Sequence, residues 1–172
     1  MNSFMELAKA RFSVRKFNSK PVEAEKVAKI LEAAKIAPTA KNQQPQKIYV
    51  VRSQEGIEKL NQLSRCIYGA TTVFMVAYDK TRIWQNSLEE GVTSGEVDAA
   101  IVGTHMMFEA AELGLGSCWV GLFPPKKTAA AFGLSDNICP VLLLPVGYYD
   151  ESVTPAPRHT EYREDADMVC EL

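Results

Sequence analysis

This chain has few of the residues that anchor metals or cross-links. Its 172 residues include only two histidines, His105 and His159, and four scattered cysteines, Cys66, Cys118, Cys139 and Cys170, with no CxxC pair. Tetrahedral zinc needs thiolates and imidazoles at short fixed spacings, so no metal site is expected. Unpaired cysteines with no secretion signal read as free thiols in a reducing compartment, and packing is their default role. No apolar run is long enough to span a membrane. Met1 to Lys9 lacks the apolar core of a signal peptide. A cytoplasmic protein without membrane contact is therefore expected. Neither charge sign dominates: 19 Lys and Arg against 21 Asp and Glu leave a net charge of −2. That excludes a broad electrostatic pull toward nucleic acid. Internal repeats and low-complexity segments are also missing. With 47% hydrophobic and 23% charged residues, the chain reads as one globular domain over residues 1–172.

What is present centres on Ser94 to Gly121, SGEVDAAIVGTHMMFEAAELGLGSCWVG. Val97, Ala100, Ile101, Thr104, Met107, Phe108, Ala111 and Leu115 recur at helical spacing. Ala99, Val102, Gly103 and Met106 make the other sides apolar too. Such a helix must be covered all round, by its own domain, by a second subunit, or by both. Gly114 and Gly116 supply a stop, and Ser117 to Val120 reads as a strand. A dinucleotide-binding glycine loop runs strand, glycines, helix. Here the helix comes first, so that reading is set aside.

Ser3 and Glu6 form a capping box for a first helix that ends near Arg11. In RFSVRKF, Arg11, Ser13 and Arg15 alternate with Phe12 and Val14. Extended geometry puts the polar set on one side, suited to a phosphate or a planar anion; a solvated basic edge is the plainer alternative. Pro21 is expected to open a second helix with a Val27, Ile30, Leu31, Ala34 face, ended by Pro38. Pro38 to Pro45 (PTAKNQQP) offers small and amide side chains that suit a heteroaromatic ring or simply make a polar connector. Lys47 to Val51 is a strand and Ile57 to Leu63 a third helix. Thr72 to Tyr78 is a buried central strand. Asp79 to Thr93 is a polar loop in which Trp84 either covers a pocket or packs back. His105 reads as a core histidine with one hydrogen bond, since no carboxylate stands in a triad-like pattern. Lys126 to Phe132 is a short helix and Pro140 to Gly147 a last buried strand. The tail from Tyr148, with Arg158, His159 and Arg163, either frays or is tied down by a partner.

In combination, Arg11 to Arg15, Ala37 to Pro45, the Gly114 to Gly121 segment behind a long helix, and Arg163 resemble the nitroreductase-like flavoproteins over essentially the whole chain. The resemblance implies an α+β fold with a mixed, largely antiparallel sheet flanked by helices on both faces. It implies a homodimer with non-covalent FMN at the subunit interface and NAD(P)H as reductant. Nitroaromatics, quinones or similar acceptors would be reduced in ping-pong fashion. It assigns Arg11 and Ser13 to the FMN phosphate and ribityl chain, with Phe12 between them, and Arg15 to the pyrimidine edge, where a cation favours the anionic reduced ring. Pro38, Thr39, Ala40 and Asn42, with Gln44 nearby, would cover the ring from the second subunit. Trp119, Val120 and Gly121 would meet the central flavin nitrogen. Arg163 would reach the phosphate, with Arg158 as a rival. No side chain is expected to act as a nucleophile. Three departures stand out: Thr39-Ala40 replaces two serines, Gln46 replaces an aromatic residue, and Arg163-Glu164-Asp165 replaces the usual proline-containing tail. They keep two alternatives open, another flavin reaction such as dehalogenation or heterocycle oxidation, and a non-catalytic flavin-binding dimer.

Overall fold

The apolar run from residue 72 forms the middle of the sheet because it can be buried on both faces. In the computed structural model, which describes residues 3–172, strand β2 (Thr72–Asp79) pairs antiparallel with β1 (Gln46–Val51) and β4 (Ile138–Gly147). The two-residue β3 (Gly116–Ser117) lines the other side of β4, giving the order β1-β2-β4-β3. Side chains alternate as strand pleating requires. Phe74 and Val76 join Leu142, Leu144 and Val146 in one core, while Val73, Met75 and Leu143 join a second. A bulge between Val76 and Ala77 leaves Val141 as the extra residue on β4.

Helices α2 (Ala24–Ile36) and α4 (Gly95–Glu112) bury Val27, Ile30, Ala34, Val102 and Met106 against the first face. Helix α3 (Gln54–Leu63) brings Leu60 to the second, beside α5 (Pro125–Ala131). This is the expected α+β arrangement with helices on both faces. All named strands pair antiparallel, and the one parallel contact among the described residues is an isolated bridge between Ser13 and Ser117.

Three local expectations are corrected. Helix α2 starts at Ala24, not Pro21: Val22 is buried and its carbonyl accepts from Arg52 Nη2 at 2.7 Å, which keeps residues 21–23 extended. The strand expected over Ser117 to Val120 is β3 plus a single bridge from Val120 to Leu143. Gly116 also has a different task from Gly114. Gly114 alone makes the stop, at φ +72°: its N–H donates to Ala111 O and Leu115 N–H to Ala110 O, the paired bonds of a Schellman ending. A Cβ on Gly116 would instead lie 2.6 Å from Val14 Cγ2.

Helix α4 is covered unevenly, closely by the sheet and α2 and less so on its remaining side. Ala99, Val102, Met106 and Ala110 are fully buried on the sheet, and Gly103 lets the helix settle on Leu142, whose Cδ2 lies 2.6 Å from where a Cβ would stand. The face read from spacing is the less covered one: Val97 is 60% exposed, and Ala100, Ile101, Thr104, Met107 and Phe108 are half-buried. Small residues win the sheet-facing side because they permit close approach. Helix α1 (Phe4–Ala10), closed by the Ser3–Glu6 capping box, gives Phe108 a partial cover through Phe4, with ring centroids 5.3 Å apart.

The Asp79 to Thr93 segment is pinned. Trp84 N–H donates to Ser94 Oγ, Ser94 N–H donates to Trp84 O, and Gln85 bridges Thr93. Trp84 is half-buried. His105 is half-buried, with Nδ1 2.9 Å from Ile101 O, as a core histidine should be.

Candidate functional site

Residues 11–15 leave α1 in extended form and run beside β3. Val14 N–H donates to Ser117 O at 2.9 Å, and Val14 is 1% exposed, so it acts as the peg that fixes the strand. Its neighbours on either side then face outward. Ser13, Arg15 and Lys16 open, with Ser152, Val153 and Thr154, onto a cleft of about 340 Å³. The lining holds two cations and three hydroxyls and no carboxylate.

Arg11 is separated from that cleft. It lines a smaller recess of about 160 Å³ with Leu7, Phe12, Ala111, Leu115 and Ser117. Arg11 is the C-cap of α1, already extended at φ −66° and ψ 130°, and it opens on this recess and not on the cleft of Ser13 and Arg15. Its Nε and the Ser117 Oγ are both buried without a partner. Unpartnered buried donors of this kind cost stability unless something occupies them. Phe12 is half-buried, edge-on to Tyr149 and His159.

Below the cleft lies Cys118. Burial pushes its thiol above the ordinary value, against the pull of Arg15 and a hydrogen bond with Ser13. Hydrogen bonding with Cys66 and burial likewise raise the Tyr68 phenol. Both groups are neutral near pH 7, so the Arg15 charge is not cancelled by them.

The Gly116 to Gly121 segment follows β4. Cys118 N–H donates to Pro145 O, and Val120 exchanges two bonds with Leu143 at 2.9 and 3.0 Å. Val120 is buried, Trp119 is 38% exposed and Gly121 is exposed. The segment thus presents an indole and a bare backbone on one side.

The Pro38 to Pro45 loop is folded on itself. Lys41, Asn42 and Gln44 all have φ near +50°, an uncommon conformation for residues with side chains. Two anchors hold it. Gln44 N–H donates to Thr39 Oγ1 at 3.1 Å, and Ala40 N–H donates to Asp98 Oδ1 at 2.9 Å. Asn42 and Gln44 side chains bond to each other at 3.1 Å. Pro38 is exposed.

These groups do not meet within one chain. Ser13 and Ser117 sit beside Val146 and Thr72, at the start of β2. The 38–45 loop sits at its other end, where Pro45 O accepts from Asp79 N–H. A strand from Thr72 to Asp79 separates the ends by about 23 Å at 3.3 Å per residue. Helix α4 spans the same gap, with Asp98 under the loop and Gly114 beside the strand end. Arg163 lies apart from both, in an exposed tail, with Nη2 donating to Asp167 O at 2.7 Å. Arg158 is also exposed, while His159 Nε2 lies 3.0 Å from Lys9 O, which ties the tail to α1 at that point.

Sequence reasoning missed Asp98, although a single carboxylate on an apolar helix face was the available signal. It also missed Lys16, Ser152 and Thr154, which carry no local signal because the path of the tail brings them in. Among the described residues no cluster of three potential metal ligands forms, and no helix is long and apolar enough to cross a membrane.

The site is therefore a cationic, hydroxyl-lined cleft, an extended segment with exposed backbone, and a strained amide-rich loop on an α+β sandwich. A phosphorylated, polyhydroxylated ligand with a flat ring fits this donor set: cations with no carboxylate for its anionic groups and hydroxyls for the chain, with unpartnered donors at Arg11 and Ser117 in the neighbouring recess. The Nitroreductase family profile matches residues 8–68 and 63–148, and the chain belongs to that family. It is 38% identical to a nitroreductase family protein from Clostridium difficile 630, whose crystal structure superposes with a TM-score of 0.91 over 99% of this chain and 98% of that one. An FMN-dependent nitroreductase from Clostridium difficile R20291 is 26% identical, with a TM-score of 0.76 over 96% of this chain and 94% of the other. A NADPH-dependent oxidoreductase from Staphylococcus aureus is 27% identical over 185 residues, covering 92% of this chain and 74% of the relative. These relatives are named as nitroreductases and an NADPH-dependent oxidoreductase.

Proposed function

We propose that the chain is an FMN-dependent oxidoreductase working as a homodimer, with NAD(P)H as the reductant and nitroaromatics, quinones or similar compounds as acceptors. The observation that carries the dimeric part is the separation of the two half-sites. The phosphate-type cleft and the ring-type loop lie at opposite ends of the sheet, so one chain cannot close a pocket around a single flavin. A two-fold axis beside α4 brings the loop of one subunit to the cleft of the other. The less covered side of α4, with Val97 60% exposed, supplies the apolar surface for that contact.

Within this reading Ser13 and Lys16 hold the phosphate and ribityl chain from the cleft, and Arg11 reaches them from the neighbouring recess. Arg15 holds positive charge beside the pyrimidine edge. Thr39, Ala40, Asn42 and Gln44 exclude water from the ring, and Pro38 shapes the turn into them. Trp119, Val120 and Gly121 line the ring's central edge with backbone. Bound FMN supplies the acceptance and donation of hydride. The protein supplies position and electrostatics, in keeping with a site that has no nucleophile–base pair. Reductant and acceptor use the same open face in turn, so initial-rate plots are parallel lines.

The test is the visible spectrum of the protein incubated with FMN, gel-filtered, and treated anaerobically with NADH or NADPH. A retained flavin spectrum that bleaches supports the reading and identifies the nucleotide. A protein that retains no FMN, or a retained flavin that neither nucleotide bleaches, overturns it.

A further inference from the structure

We infer that Asp98 is the positioning residue of the ring-covering loop, holding Ala40 in place for the flavin of the partner subunit. The inference rests on the functional reading above. It begins with a charge in an unfavourable place. Asp98 is 2% exposed on α4, among Ala99, Val102 and Met106, which are fully buried. A carboxylate there loses most of its hydration and needs full hydrogen bonding to be neutral in cost. It does not receive it: Oδ1 accepts from Ala40 N–H at 2.9 Å, while Oδ2 is buried with no partner. An orphan carboxylate oxygen costs stability, so the residue is not explained by packing alone.

What the carboxylate does accomplish is local. Ala40 begins the turn in which Lys41, Asn42 and Gln44 take positive φ. Without side-chain ties such a segment relaxes to ordinary backbone angles. The Thr39 Oγ1 bond to Gln44 N–H lies inside the loop and preserves its shape. Pro45 O, accepting from Asp79 N–H, ties the end of the loop to β2; among the described residues the Asp98 bond is what ties its start, at Ala40, to α4. A charged acceptor makes that bond about twice as strong as a neutral one. Asp98 therefore sets where the loop stands relative to α4, and α4 borders the proposed subunit contact. It acts through the loop and has no contact with substrate of its own.

The experiment compares the parent, Asp98→Asn and Asp98→Leu in three measurements. They are FMN affinity by fluorescence quenching, melting temperature of the FMN-free protein, and amide exchange of residues 39–44. Asn retains an acceptor without charge, and Leu removes it at similar volume. The expected result is graded. FMN affinity falls roughly tenfold in Asp98→Asn and about a hundredfold in Asp98→Leu, the range of a charge-assisted hydrogen bond. Exchange at residues 39–44 quickens in the same order. The melting temperature of the FMN-free Asn variant stays near the parent's, because an unpartnered neutral amide replaces an unpartnered carboxylate oxygen. If Asp98→Leu does not fold, Asp98→Asn carries the test. Parent-like FMN affinity in Asp98→Asn with unchanged exchange overturns the proposal and leaves the functional reading standing. A lowered melting temperature with unchanged affinity makes Asp98 merely structural and also overturns it. A parent that binds no FMN overturns the functional reading and this proposal together.

Discussion

Gly116→Ala probes how the strand that carries Ser13 and Arg15 is held. A Cβ at position 116 would stand 2.6 Å from Val14 Cγ2, 2.7 Å from Tyr149 Cδ1 and 2.9 Å from Val14 Cβ. Val14 is 1% exposed and β-branched, so it cannot swing aside. Overpacking of this kind costs about 1–3 kcal/mol. In a domain of this size that lowers the melting temperature by about 2–12 °C, at 2–4 °C per kcal/mol. Relief comes most directly from moving residues 13–15 outward, away from β3, with which Val14 shares the bond to Ser117 O. If that displacement carries the strain, FMN affinity drops by roughly 5- to 150-fold. Gly114→Ala is the control. It has φ +72° and nothing within 4 Å of its would-be Cβ. It costs about 1–2 kcal/mol of left-handed strain and lowers the melting temperature, yet leaves FMN binding at the parent level. Thermal unfolding and flavin fluorescence titration on the two variants suffice. The reasoning is refuted if Gly116→Ala retains both parental values, or if Gly114→Ala weakens FMN as strongly as Gly116→Ala.

Further outcomes follow from other parts of the structure. Asp79, hydrogen-bonded by Thr81 and Asn137, titrates at about 2 in the folded chain, below the unfolded value of about 3.9. Its contribution is therefore present above pH 4 and lost as pH falls toward 2, so the melting temperature of Asp79→Asn should decline less steeply over that window. Cys118 and Cys66 are buried, and burial keeps the Cys118 thiol protonated, whereas Cys170 is exposed. An aromatic disulfide reagent at pH 7.5 should label Cys170 promptly and Cys118 only on unfolding; rapid labelling in a Cys139→Ser, Cys170→Ser double variant would contradict the packing. Arg15→Ala should lower the midpoint potential of bound flavin by roughly 20–45 mV, which corresponds to 1–2 kcal/mol of lost attraction for the anionic reduced ring. An unchanged potential removes Arg15 from the pyrimidine edge.

Much of this architecture was legible in the chain because the patterns were long. The continuous apolar run at Thr72 left no alternative to a buried strand, and the helix from Gly95 was bounded by its own glycine stop. Legibility failed where a tertiary approach decided the outcome. Which face of α4 meets the sheet depends on Gly103 fitting under Leu142, and no periodicity reveals that when every face is apolar. Arg11 looked equivalent to Ser13 and Arg15 until the helix ending placed it one recess away. Pro21 is a good helix opener, yet Arg52 holds the Val22 carbonyl and delays the start. Of the candidate site, the cationic strand and the amide loop were readable as two motifs. Their positions at opposite ends of the sheet were not, because that depends on the strand order. Asp98 was visible as a lone charge, but its target on Ala40 lies 58 residues away.

The central claim is that each flavin pocket is built from both chains, and subunit complementation tests it most directly. Arg15→Glu spoils the cleft and Ala40→Trp fills the space under the loop, so each homodimer should bind no FMN. When the two variants are mixed under conditions of subunit exchange, each heterodimer regains one intact pocket and carries one doubly damaged pocket. Random pairing then restores roughly one FMN per four chains. A mixture that exchanges subunits yet binds no FMN would show that the pocket lies within a single chain and would contradict the account.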